Sequence, residues 1–427
     1  MKMSPSEFIA EALRKRNSFS FILSIDLLKS AGIITFAEIT LIQNLMSKVY
    51  KFALITLISL FSAIVFSSCD KDEPEPPLPA GSRTILVYMV ANNSLGGATP
   101  DTGFDAADRS EMLAAARSGD LNGCRWLVYY ASKHSAPVLE ELTPNGFTTL
   151  KNYDNNSYSV SINRMKDVFA DMKKFAPAEE YGLILWSHAN GWQQNGIIEK
   201  NKKPLAYGED RGRMMNITSL RNALEGQGFN FLYADVCYFS TIEVVYELRN
   251  TVKYFAGCEA RLRADGMPYN TTMKYFTGKT VDLVSAAAST YAYYNDLPDP
   301  DDRWCTMSVI KMDGVEKLAE ITRDIYTTSY YPRNYTPQVM EDLSTCYYFD
   351  FQHFVEALNS SYYSAWQKAI DDVVIYKAAT AKLIGGTPIK THCGLSTYIM
   401  PDEIHATYKN YNSLSWYNDV AQYQPLP

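Results

Sequence analysis

GLILWSH, residues 182–188, is an apolar run that ends on a serine and a histidine, and FNFLYADVC, residues 229–237, repeats the pattern and ends on a cysteine. Short apolar runs of this kind read as strands buried on both faces, the signature of a parallel sheet covered by helices. In such sheets the functional groups gather beyond the carboxyl ends of the strands. His188 and Cys237 stand at those ends, on strands that are consecutive in the buried series.

Outward from these runs, strand-like and helix-like stretches alternate. Strands are predicted at 84–91, 126–131, 182–187, 229–235 and 254–258, with a hairpin over 138–150. Helices are predicted at 104–117, at 162–175 with Ser161 or Asn163 as cap, from a Thr218 cap through Glu225, and at 241–249. A polar connection fills the span from 188 to about 216. Further on the pattern gives a helix at 273–292, a strand at 306–312, helices at 315–326, 351–358 and 365–379, and a late strand at 395–400. The fold class is α/β, a doubly wound and largely parallel sheet between helices, with C-terminal α/β additions.

A chain of 427 residues with 47% hydrophobic and 20% charged residues can build a large core. The net charge of −7 and scattered basic residues exclude a nucleic-acid partner. Lys48 and Lys51 precede the apolar run 52–66, which closes on Ser67-Ser68-Cys69. That is a signal-peptide layout, and the run is shorter than the ~20 residues of a membrane span, an apolar anchor helix being the alternative. Cys69 after two small residues resembles the lipobox of bacterial lipoproteins, which implies lipidation of Cys69 and a true start at Met46. Lys71-Asp72-Glu73 resembles the surface-export signal of Bacteroidetes lipoproteins, which implies the outer face of the outer membrane. Prolines 74, 76, 77 and 79 make this stretch a spacer.

Seven cysteines occur, none in a CxxC pair; with Cys69 lipidated and one thiol kept free, five remain, an odd number that argues against a disulfide framework. A thiol beside an imidazole is activated as thiolate and can attack a carbonyl, with the backbone N–H groups of Cys237 and Ala189 facing the oxyanion. Position alone leaves His188 and Cys237 candidates, since a histidine and a cysteine after strands also arise by chance.

The segments TILVYMVANNSL (84–95), LILWSHANGW (183–192), ADVCYFSTIEVVYEL (234–248), FAGCEARLRADGMPY (255–269) and GLSTYIMP (394–401) resemble, in order and spacing, the clostripain family of cysteine peptidases, relatives of caspases, gingipains and legumain. The resemblance implies a caspase-like fold, His188 as general base, Cys237 as nucleophile, cleavage of proteins or peptides through a thioacyl-enzyme, and no catalytic metal or cofactor. Together with the signal-peptide and lipobox reading, which sets apart a gene-model extension (1–45), a lipoprotein signal peptide (46–68) and a linker (69–82), it gives a catalytic core (83–270) and a C-terminal region completing the peptidase domain (271–427). Asp235 resembles the family's acidic residue that favours Arg or Lys before the scissile bond; its structural reading is a strand-end carboxylate tying down loop amides. Self-cleavage, common in the family, would fall at Lys202 or Lys203 in the loop between His188 and Cys237.

Three departures stand out: Ala189 where the family has Gly, Asn92 where an acidic residue is usual, and Cys258 in place of Ser before Glu259. Ala189 and Asn92 support an alternative function, a catalytically silent surface lipoprotein that binds proteins or peptides. Asp296, Asp299, Asp301 and Asp302 offer oxygen ligands of the kind Ca²⁺ takes, but their prolines and spacing favour a solvated loop.

Overall fold

In the computed structural model, which describes residues 83–193, 206–340, 348–402 and 411–427, the two runs quoted first become β5 (Glu180–Trp186) and β8 (Phe229–Asp235). They pair in parallel, with Trp186 opposite Asp235. β1 (Arg83–Val90) lies on the other side of β5, buried along its whole length, and β2 (Arg125–Ala131) lies beyond it. The antiparallel hairpin β3 (Val138–Thr143) and β4 (Gly146–Asn152) closes that edge. On the far side of β8 come the parallel β9 (Tyr254–Gly257), then β10 (Thr306–Lys311) and β12 (Val374–Ala379), both antiparallel to their neighbours. The nine-stranded order is β12-β10-β9-β8-β5-β1-β2-β3-β4.

Alternation along β1 feeds two cores. Leu86, Tyr88 and Val90 pack with Met165 and Phe169 of α2 (Ile162–Phe175), Leu220 of α3 (Ile217–Leu224), Val244 of α4 (Ile242–Leu248) and Leu318 of α7 (Val315–Thr328). Ile85, Val87 and Met89 pack with Met112 of α1 (Phe104–Arg117), Met273 and Phe276 of α5 (Tyr269–Thr277) and Ala287 of α6 (Leu283–Asn295). Helices therefore cover both faces, as the α/β class requires. β1 leads to β2 on one side while the chain returns through β5 on the other, so the switch point of the sheet lies between β1 and β5.

Local chemistry corrects several boundaries. The stretch read as one helix over 273–292 is α5 and α6, because the chain breaks at Gly278 and restarts where Asp282 Oδ1 accepts the Ser285 N–H at 2.9 Å. The helix read over 365–379 ends at Val373 (α9, Tyr363–Val373); the β-branched run that follows leaves it and pairs with β10 as an edge strand. Asn216, not Thr218, caps α3: its Oδ1 accepts the Ser219 N–H at 2.7 Å, and Thr218 donates its hydroxyl to the same oxygen. The polar connection after His188 contains a hairpin, β6 (Tyr207–Asp210) and β7 (Arg213–Met215). The tail adds β11 (Tyr348–Asp350), α8 (Phe351–Ala357), β13 (Ser396–Tyr398) and α10 (Ser415–Asp419), with β11 and β13 paired. Among the described residues no helix is long and apolar enough to cross a membrane.

Candidate active site

His188 follows β5 by two residues and Cys237 follows β8 by two. Since Trp186 and Asp235 are opposite in register, both side chains leave the sheet at one level, on neighbouring strands. Both line a cleft of about 650 Å³, with Leu95, Phe104, Met214 and Trp304 among its apolar walls and Asp235, Asp265, Arg261, Arg263 and Glu209 among its charged ones. Cys237 is half-buried, and its Sγ accepts the Leu262 N–H at 3.4 Å. Directly after it, Tyr238 adopts φ +58°, a left-handed conformation costing a non-glycine residue about 1–3 kcal/mol. The strain is held by the Tyr238 N–H donating to Ala260 O at 2.9 Å and by Tyr238 packing against Tyr348, ring centroids 5.5 Å apart. This abrupt turn follows Cys237 directly, three residues past the end of β8.

His188 is tied down on both sides. Its carbonyl accepts the Gly208 N–H at 2.8 Å, and the Asn190 N–H donates to Ala206 O at 3.1 Å. Those two bonds bracket an antiparallel bridge, Ala189 opposite Tyr207, of the type in which the paired residues point their own N–H groups away from each other. The Ala189 N–H is thereby turned away from the hairpin. Burial holds the His188 imidazole below its usual value, the Glu209 carboxylate offsetting part of the effect. Burial thus favours the neutral ring, the form in which an imidazole can accept a proton. Its Nε2 lies 2.7 Å from Ser94 Oγ.

Asp235 is 4% exposed and lines the cleft. Its Oδ1 accepts the Met267 N–H at 2.9 Å and its Oδ2 the Tyr269 hydroxyl at 3.0 Å, so it ties down the loop after β9. Burial pushes its carboxyl up to about 7 against these donors. Asp108, buried beside it and bonded to Trp186 Nε1, is raised by burial and by the neighbouring Asp235. Gly266, at φ +65°, passes over this pair; a Cβ there would stand 3.0 Å from Asp235 Oδ1 and 3.4 Å from Asp108 Oδ2. Both the pocket position and the loop-tying bonds of Asp235 are present together.

The three departures leave this geometry intact. Residue 189 is not left-handed, so alanine fits, and the position that requires glycine is Gly191 at φ +67°. Asn92 accepts the Arg211 N–H on its carbonyl, while the next two residues, Asn93 and Ser94, reach the His188 segment. Cys258 is fully buried, and its thiol lies 3.1 Å from the carbonyls of Val236 and Ala260, a donor where serine would be one. No disulfide is formed among the described cysteines.

Other predicted features fall elsewhere. Cys69, Lys202 and Lys203 lie outside the described residues. In the acidic loop, Asp299 caps a short 3₁₀ turn, Asp301 pairs with Lys382 at 2.7 Å and Asp302 with Arg263 at 2.8 Å. Among the described residues no three His, Cys, Asp or Glu side chains group to hold a metal ion. Arg211 and Arg213 belong to the β6–β7 hairpin and stack on Tyr158. Sequence reading missed Ser94, Asn93 and Glu209, which approach His188 from distant segments; the polar cluster Asn92-Asn93-Ser94 directly after a buried strand was the available signal.

A histidine and a cysteine at neighbouring strand ends over one cleft, on a helix-covered parallel sheet, define the class of cysteine endopeptidases with a caspase-like fold. The model of the Clostripain family, peptidase C11, matches residues 87–426, and the chain belongs to that family. An inactive zymogen C11 protease from Parabacteroides distasonis is similar over 80% of this chain and 98% of its own, at 28% identity and TM-score 0.68. A secreted C11 cysteine protease from Bacteroides thetaiotaomicron, solved in complex with an irreversible peptide inhibitor, is similar over 79% of this chain and 99% of its own, at 28% identity and TM-score 0.67. A further secreted C11 protease from that organism, iotapain, shares the fold at 20% identity and TM-score 0.69. No curated protein matches the chain.

Proposed function

We propose that this endopeptidase cleaves proteins or peptides after Arg or Lys, with Cys237 as nucleophile and His188 as general base. The Cys237 thiol gives its proton to the His188 imidazole, and the thiolate adds to the scissile carbonyl. The oxyanion is held by the N–H groups of Ala189 and Cys237. Collapse expels the amine, which takes the proton from His188, and water then releases the acyl group from sulfur. No metal or cofactor enters these steps. The observation that carries the reading is the common level of His188 and Cys237 over one cleft whose wall includes the Asp235 carboxylate.

The preference for a basic residue before the scissile bond rests on Asp235, whose charge a guanidinium or ammonium would complement. Self-processing at Lys202 or Lys203 is part of the proposal, as is attachment to the outer membrane surface through a lipid on Cys69, supported by the residues around it. The full chain, purified in mild detergent, is tested with fluorogenic peptides ending in Arg, Lys or neutral residues. Turnover of the basic ones, abolished in Cys237→Ala and reduced roughly 10²- to 10⁴-fold in His188→Ala, is expected. Undiminished turnover in Cys237→Ala would exclude this nucleophile, and equal turnover of neutral peptides would exclude the role of Asp235.

A further inference from the structure

Ser94 is exposed, comes from the loop after β1, and touches the ring of a residue 94 positions away: its Oγ lies 2.7 Å from His188 Nε2. The contact crosses the switch point between β1 and β5. It is built from beneath by Asn93, which is 6% exposed. The Asn93 amide nitrogen donates to Val90 O at 2.8 Å, to Ser187 Oγ at 3.2 Å and to Glu209 O at 2.7 Å, and its Oδ1 accepts the Leu95 N–H at 2.9 Å. Ser187 in turn donates to Val90 O at 2.8 Å and accepts the Glu209 N–H at 3.0 Å. One buried amide thus fixes the residue before His188 and both chain neighbours of Ser94. Their relative placement is set by the end of the sheet, not by the loop.

We propose that Ser94 is a positioning residue of the site, which accepts a hydrogen bond from His188 Nε2–H, reserves Nδ1 for the Cys237 proton and stabilises the imidazolium once that proton has moved. This rests on the assignment of His188 and Cys237 given above. A neutral imidazole carries one N–H, and the nitrogen without it is the base. With Nε2 facing Ser94, a tautomer that keeps the proton on Nε2 leaves Nδ1 free to accept, whereas the other tautomer cannot take the thiol proton. After transfer both ring nitrogens carry protons, and the bond from Nε2–H to Ser94 Oγ becomes charge-assisted, about twice as strong as its neutral form. Ser94 therefore favours the thiolate–imidazolium pair over the neutral pair. The charged groups sharing this cleft are Glu209 from β6, Asp235 at the end of β8, and Arg261, Arg263 and Asp265 from the loop after β9.

The test follows Cys237 alkylation by iodoacetamide as a function of pH in the full chain, which reads the His188–Cys237 pair without needing turnover, alongside kcat and KM on the best peptide. Ser94→Ala is expected to slow alkylation at neutral pH and lower kcat by roughly 5- to 30-fold, with KM unchanged. Its alkylation profile should move to higher pH, toward that of a free thiol, and Ser94→Thr should restore both. Because Ser94 is exposed, the thermal midpoint of each variant should match the parent. A Ser94→Ala variant with the parent's profile and kcat, a loss confined to KM, or a loss that Ser94→Thr does not repair would each overturn the inference. His188→Ala separates this from the underlying assignment: a profile identical to the parent in that variant would overturn the pairing itself.

Discussion

Trp186 stands opposite Asp235 where β5 pairs with β8, and this single register decides where His188 and Cys237 emerge. Neighbouring strands are about 4.8 Å apart, so a slip of one residue would send one of the two side chains to the other side of the sheet. The indole of Trp186 also binds Asp108, which joins the acidic pair beneath the cleft to the strand that carries His188. Register, cleft and carboxylates form one unit.

Asp235, pushed up to about 7 by burial, should make selectivity pH-dependent. Its carboxyl is neutral well below that value and charged above it. The ratio of kcat/KM for Arg or Lys peptides to that for neutral ones is therefore expected to rise between pH 6 and 8. Asp235→Asn should flatten that rise and lower kcat/KM for basic peptides roughly 10- to 100-fold. A ratio independent of pH in the parent enzyme would refute the charge-complementarity role.

Residue 189 has no left-handed backbone to relieve. Ala189→Gly is expected to leave kcat/KM within about 3-fold of the parent and to cost up to ~1 kcal/mol of stability through backbone entropy. Steady-state kinetics and denaturant unfolding check both; a large gain in rate would show that Ala189 restrains the site.

Glu243 in α4 is fully buried and accepts from the Thr397 hydroxyl, the Tyr398 N–H and the Tyr411 hydroxyl, so it fastens the C-terminal segment to the core. Glu243→Ala, which leaves three buried donors unmet, should destabilise by about 2–4 kcal/mol. Burial pushes the Glu243 carboxyl up to about 7. A folded-state value above the unfolded one means that its stabilisation is complete below about pH 4.3 and is lost as pH rises through 7. The stability of the parent relative to Glu243→Gln should accordingly fall from pH 4 to 8 in urea titrations.

Self-processing predicts that the parent protein appears as two fragments joined by the fold, while Cys237→Ala remains one chain. Mass spectrometry of the fragments should place the new end after Lys202 or Lys203, and the double change Lys202→Ala with Lys203→Ala should slow cleavage. An active parent that stays uncut would remove this part of the proposal.

Apolar runs at 84–91, 182–187 and 229–235 determined the buried strands, and the residues ending them already pointed to His188 and Cys237, because a strand buried on both faces writes its own hydrophobicity into consecutive residues. Their places just past those runs made the pair legible without coordinates. Elements whose state depends on a distant partner were not legible. The segment 374–379 has a helix in front of it and becomes a strand because β10 offers an open edge. Ser94 looks like any polar loop residue until the crossover brings β1 beside β5, and Asp235 shows its two sets of contacts only when the loop carrying Met267 and Tyr269 folds back over it. Periodicity is a local property that each run carries alone, whereas these hydrogen bonds join segments 32 to 94 residues apart and exist only once the sheet order is set.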